Sequence, residues 1–133
     1  MISETRGAQF LKDYAEGLKS ADSAKMAKLF HPGLAYIVND EAREGADGLS
    51  KPETWDFIFS KFKFLDATAS HVIEVCSGHI FYHEALKVQH IESGEIREGH
   101  FGDEAVINAD DKMLMVNRVA DPAFFDWFGT ALS

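Results

Sequence analysis

The sequence predicts an α+β fold in which N-terminal helices pack inside a curved, mostly antiparallel sheet. Three observations carry this expectation. Apolar residues recur at helical spacing through the first half and alternate with period two from Thr68 onward. The alternating segments are joined by short turn-like links, "SG", "ESGE" and "NADDK", which imply antiparallel pairing. Pro32, Pro52 and Pro122 fall where elements change. Helices first and a meander afterwards form an α+β layout rather than an alternating one. At 133 residues the chain, 1–133, reads as one domain with no internal repeat or linker.

Each element follows from its residues. The first helix is expected from about Ser3 to Lys19, with Phe10, Leu11, Tyr14, Ala15 and Leu18 on one stripe. Asp22 is the expected N-cap of a second helix, which buries Met26, Ala27, Leu29 and Phe30 and stops at Pro32. Leu34 to Val38 reads as a strand that runs into the polar stretch "DEAREGADG". Ser50 and Glu53 have capping-box spacing ahead of a third helix, Lys51 to about Phe64, with Trp55, Ile58, Phe59 and Phe62 inward. Four longer strands follow: Thr68 to Cys76, His79 to Ile91, Ile96 to Asn108 and Met113 to Ala120. Asp121 and Pro122 open a short closing helix that carries "FFDWF", a segment too aromatic to be a free tail.

Composition narrows the function classes. The formal net charge of −9 repels nucleic acid and anionic membranes, and no basic patch is visible. The single cysteine, Cys76, excludes an internal disulfide and reads as a buried thiol among Val72, Ile73 and Val75. The N-terminus carries no apolar signal segment, and no apolar run approaches the roughly 18 residues of a membrane span. A soluble cytoplasmic protein is expected. The 11 phenylalanines suit a core or pocket walled by aromatic rings.

The order of elements, with Tyr14, Leu18, Asp22, Leu29 and Phe30 spaced as "YxxxLxxxDxxxxxxLF", resembles the NTF2-like superfamily. Within it the chain is most similar to the SnoaL-like group of polyketide cyclases, ketosteroid isomerase and scytalone dehydratase. The resemblance implies a cone enclosing a largely apolar pocket, and a homodimer formed through the outer sheet face. It also implies site residues. Tyr14 falls where relatives carry a pocket tyrosine, and His71 where dehydratases carry a strand histidine. His90 resembles a second dehydratase histidine, and Asp103 lies near the acid of the isomerase oxyanion hole. The set departs from the family in two places. Lys19 stands where a dehydratase carboxylate would orient the histidine. The isomerase base would fall at Val38, or at Asp40 with a short gap.

The residues themselves support two readings. His71 alternates in phase with Ile73 and Val75, and an imidazole on an apolar face is costly unless bonded. Asp103 shares a face with Phe101 and Ala105, and Arg118 on the next strand is its candidate partner, as an ion pair or as a substrate anchor. Asp40 is either a turn residue or a carboxylate at the pocket mouth. In the enzyme reading, His71 or Asp40 removes a proton beside a carbonyl of an apolar, oxygenated substrate. Tyr14 and a protonated Asp103 stabilise the oxyanion, and no cofactor is needed. Tyr36, Trp55, Phe59, His90, Phe101 and Arg118 would bind this small apolar or aromatic molecule. The chemistry would be isomerisation, dehydration or cyclisation. The alternative is a non-catalytic ligand-binding or dimerisation module. A metal is not expected. His79 and His83 are four apart on a strand, about 13 Å, too far for one ion.

Overall fold

The computed structural model describes residues 5–133. The predicted helix start at Ser3 lies outside the described residues. Helix α1 (Arg6–Ser20) is capped by the Thr5 side chain, which accepts from the Ala8 N–H. It ends at Ala21 in the left-handed region, where the backbone N–H returns to Gly17 and Leu18 carbonyls. Asp22 caps α2 (Ser23–Lys28) by accepting from the Lys25 N–H, as its spacing predicts. Strand β1 (Phe30–Val38) and the short β2 (Glu41–Ala42) form a hairpin. A 3-10 turn (Ala46–Ser50) leads to α3 (Pro52–Lys61). Then come β3 (Phe62–Cys76), β4 (His79–His90), β5 (Ile96–Ile107), β6 (Met113–Ala120) and α4 (Pro122–Leu132).

The six strands form one curved, open sheet in the order β2-β1-β6-β5-β4-β3. All neighbours are antiparallel except β1 and β6. The side-chain period of two sorts each strand. On β4, Ile80, Tyr82, Glu84, Leu86 and Val88 are buried, while the residues between them face outward. On β5 the inward residues are Phe101, Asp103, Ala105 and Ile107. These faces, with α1, α3 and α4, enclose the core.

Several local expectations change. The third helix ends at Lys61, not Phe64, and Phe62 opens β3. Tertiary packing decides this: Phe62 stacks on Phe128 at 4.3 Å and meets Trp127 edge-on at 5.4 Å, contacts a helical Phe62 would forfeit. Ser50 does not cap α3; its hydroxyl donates to the Asp47 carbonyl, and Lys51 takes the cap position without a side-chain bond. Pro32 lies inside β1, where the β1–β6 register shifts between Phe30 and Ala35, so its missing N–H costs no ladder bond. Cys76 is exposed, not buried. It ends an edge strand whose register against β4 breaks three times, so burial no longer follows the alternation there. Ile73 and Val75 are 62% and 65% exposed.

Candidate functional site

A cavity of about 120 Å³ opens between the sheet, α1, α3 and α4. Its wall is largely aromatic and aliphatic. Among the described residues, its polar side chains are Tyr14 from α1, Tyr36 from β1, Arg118 from β6, and Trp55, whose indole N–H already donates to the Leu49 carbonyl. The predicted residues Trp55 and Phe101 line it as well. Phe59 stands one layer back, packed on Trp55 at 5.8 Å and edge-on to Phe64 at 5.9 Å. The C-terminal aromatic segment closes one side through Phe124, Phe125 and Phe128. Phe124 reaches that place because Gly99 lies beneath its ring; a Cβ there would come within 2.6 Å of it.

Behind the polar end of the cavity sits a buried ion cluster. Arg118 donates from Nε to Asp103 Oδ1 and from Nη2 to Asp103 Oδ2, both at 2.9 Å, a two-pronged pair. The same Nη2 donates to Glu84 Oε2 at 2.6 Å. Nη1 donates to the Tyr36 hydroxyl at 3.3 Å, and the guanidinium carbon lies 4.6 Å from the centre of the Phe101 ring. Glu84 and Asp103 are 3% and 5% exposed, so water does little to screen them. Glu84 Oε1 is buried without a hydrogen-bond partner among the described residues.

That environment sets the protonation of Glu84. Burial pushes its carboxyl up to about 7 and the negative charge of Asp103 adds to the rise, while Arg118 and the Tyr14 phenol pull it back. The phenol of Tyr14 is held well above the ordinary tyrosine range, first by burial and then by the Glu84 charge. Burial opposes the charge of Arg118, but its surroundings hold it protonated. The cluster thus has one cation, two carboxyls and a proton that exchanges near neutrality.

The remaining predicted residues lie elsewhere. His71 is exposed on the outer sheet face, with φ +54 at an irregularity of β3. The expectation that it faces inward with Ile73 and Val75 fails because those residues are themselves exposed. Ser70 Oγ joins it to His83, whose Nε2 is 3.2 Å from His100 Nδ1. Asp40 is exposed at the tip of the β1–β2 hairpin. Asn39 and Asp40 both have positive φ, as a two-residue hairpin turn requires, so the strand stops at Val38 and Asp40 does not extend its inner face. His71 and Asp40 do border a common trough, on the far side of the sheet from Tyr14. His90, half-buried, packs its ring 5.5 Å from Phe62, with Nδ1 2.7 Å from the Ser93 hydroxyl, outside the cavity wall. Asp103 faces inward, but Arg118 stands between it and the cavity. Among the described residues, no group of three His, Cys, Asp or Glu side chains is placed to hold a metal.

Glu84 was absent from the expected set. Its signal was present in "IFYHEALKV", where it alternates with Ile80, Tyr82, Leu86 and Val88. The parity that placed Asp103 inward places Glu84 inward too.

No family model matches the chain, and no curated protein sequence matches it. Solved structures do. A Bacillus subtilis protein assigned as a candidate isomerase superposes with a TM-score of 0.70 at 12% identity, over 95% of this chain and 94% of that one. An LEH-like epoxide hydrolase from M. tuberculosis gives 0.69 at 8% identity, over 96% and 89%. An NTF2-like protein of unknown function from an Exiguobacterium species gives 0.61 at 16% identity, over 85% and 98%. The identities are low and the superpositions nearly complete, and what they establish is architectural: the chain has the NTF2-like fold.

Proposed function

We propose that the cone binds a small, mostly apolar or aromatic molecule carrying an oxygen acceptor and performs cofactor-independent proton transfer on it, as an isomerase, dehydratase or cyclase does. The observation that carries this reading is the meeting of Tyr14, Tyr36 and Arg118 at one end of an aromatic cavity, backed by a buried carboxyl that exchanges its proton near neutrality. Arg118 Nη1 and the Tyr36 hydroxyl hold the substrate's carbonyl oxygen. Tyr14, which borders the same small void as Glu84, takes the proton from the adjacent carbon as it turns its own hydroxyl proton to the unpartnered Oε1 of Glu84. The enolate charge stays on the oxygen, facing Arg118. Return of the proton to a different carbon isomerises the substrate; its transfer from Tyr14 to a hydroxyl on the second carbon from the carbonyl expels that hydroxyl as water as the enolate electrons form the double bond, and Glu84 returns its proton to Tyr14. Asp103 orients Arg118 without touching the substrate. His71 and Asp40, on the far side of the sheet, take no part.

The test is solvent deuterium exchange at the carbon beside the carbonyl of small cyclic ketones and enones, followed by NMR. The protein should accelerate exchange with at least one, Tyr14→Phe and Glu84→Gln should remove the acceleration, and His71→Ala should keep it. Retention of the rate in Tyr14→Phe would sink the mechanism. A second reading, a binding module without catalysis, is favoured by the absence of a carboxylate or imidazole among the described residues lining the cavity. It predicts binding without exchange. In either case we propose a homodimer through the outer sheet face, where Phe81 and Val119 are exposed, Val119 at 70%. Sedimentation should give twice the 14.8 kDa of one chain.

A further inference from the structure

The buried charges say which ligands the cavity refuses. This argument rests on the cavity being a ligand site, as proposed above. A guanidinium has five N–H donors. Arg118 spends three on carboxylates: Nε on Asp103, and both hydrogens of Nη2 on Asp103 and Glu84. Of the two on Nη1, one serves the Tyr36 hydroxyl. One Nη1 hydrogen is left, on a side chain that lines the cavity. Arg118 therefore offers a ligand a single hydrogen bond. Its positive charge is already met by two carboxyl groups, both almost wholly buried.

We infer that Glu84 acts as a charge filter through Arg118, so that the cavity accepts uncharged aromatic carbonyl compounds and rejects aromatic carboxylates of the same shape. Ionised Glu84 adds a negative charge to a guanidinium already held by the paired oxygens of Asp103. A neutral carbonyl asks of it only the remaining N–H. A carboxylate at the same place adds a third anionic group around one cation in a site walled by aromatic rings, where solvent screening is weak. Its attraction to Arg118 is offset by repulsion from the two carboxylates behind. Glu84 rather than Asp103 sets the filter. Asp103 holds Arg118 with two parallel bonds, while Glu84 holds it with one oxygen and leaves the other unpaired. The titratable and charged groups around Glu84 are Arg118 from β6, Asp103 from β5, Tyr14 from α1 and Tyr82 from its own strand. Of these, Arg118 is the one cation, so neutralising Glu84 leaves its charge balanced by Asp103 alone.

Acetophenone and benzoate test this, being near-identical in shape and different in charge. Affinities are measured by titration calorimetry on the full chain and on Glu84→Gln. At about pH 8, where Glu84 is ionised, the unaltered protein should prefer acetophenone by about tenfold or more, the scale of one unfavourable charge contact. In Glu84→Gln the preference should shrink to within about twofold or invert. The unaltered protein supplies a second arm that does not depend on the variant folding. At about pH 6 Glu84 is protonated while benzoate remains ionised, so the preference for acetophenone should shrink there too. An affinity ratio that is the same in both proteins and at both pH values overturns the filter and leaves the pocket reading intact. Binding of neither probe by either protein overturns both. A merely structural Glu84 would change the two affinities together and leave their ratio unmoved.

Discussion

Replacing Glu84 by Gln is expected to change how the protein's stability responds to pH. In the unfolded chain this carboxyl ionises near 4.5; in the fold it does so at about 7. Below 4.5 it is protonated in both states and burial costs no charge. Between the two values the unfolded chain releases the proton and the fold keeps it, so stability falls as pH rises. Above about 7 the loss is complete. The difference between the two values corresponds to about 3 kcal/mol. Exposure of only 3% means that solvent does not reduce it much. Gln keeps the shape and an acceptor oxygen for Arg118 but has no proton to release. Guanidinium unfolding of both proteins across about pH 4 to pH 8 is the assay, because the difference between them cancels the titrating groups that do not touch Glu84. Relative to the unaltered protein, Glu84→Gln should gain about 3 kcal/mol over that range, with most of the change between 4.5 and about 7. A pH-independent difference, or one that moves the other way, refutes the assignment of a raised Glu84.

Three further outcomes are expected. Arg118→Met leaves two buried carboxyls without their cation and should cost about 3–5 kcal/mol at neutral pH in chemical unfolding, less in acid where Glu84 is protonated. Gly99→Ala puts a Cβ within 2.6 Å of the Phe124 ring; displacing that ring should cost about 1–3 kcal/mol, more than the roughly 0.5–1 kcal/mol that alanine otherwise contributes in a strand. It should also change Trp127 fluorescence, since Trp127 packs 5.7 Å from Phe124. Asp40→Gly relieves a positive φ of +67 at an exposed turn and should stabilise by up to about 1 kcal/mol in thermal unfolding, with ligand binding unchanged.

Much of the fold is legible in the sequence. The Asp22 and Asp121 caps and the short strand links correspond to observed elements, while the change of period falls at Phe62 rather than near Thr68. These signals are local, and the forces that produce them act within a few residues. The site divides differently. Tyr14, Tyr36, Trp55 and Phe101 lie on faces that stripe and strand parity turn inward, which holds wherever the element is regular and has a core beside it, and Arg118 follows as the expected partner of Asp103 on the next strand. His71 was misplaced because parity does not survive a bulge in an edge strand that leaves the core. Asp40 depended on whether one more residue stayed extended, and the Asn39–Asp40 turn decided against it.

By itself, then, the sequence determined an α+β chain with helices laid into a meander, and which faces of the regular strands are buried. Only the tertiary structure decided that α3 gives way to β3 at Phe62, because the competing contacts come from α4, more than sixty residues away. It alone brought Glu84, Asp103 and Arg118 from three strands onto one guanidinium. The value near 7 for Glu84 belongs to that assembly. Burial and two charged neighbours create it, and none of the three is adjacent in the chain.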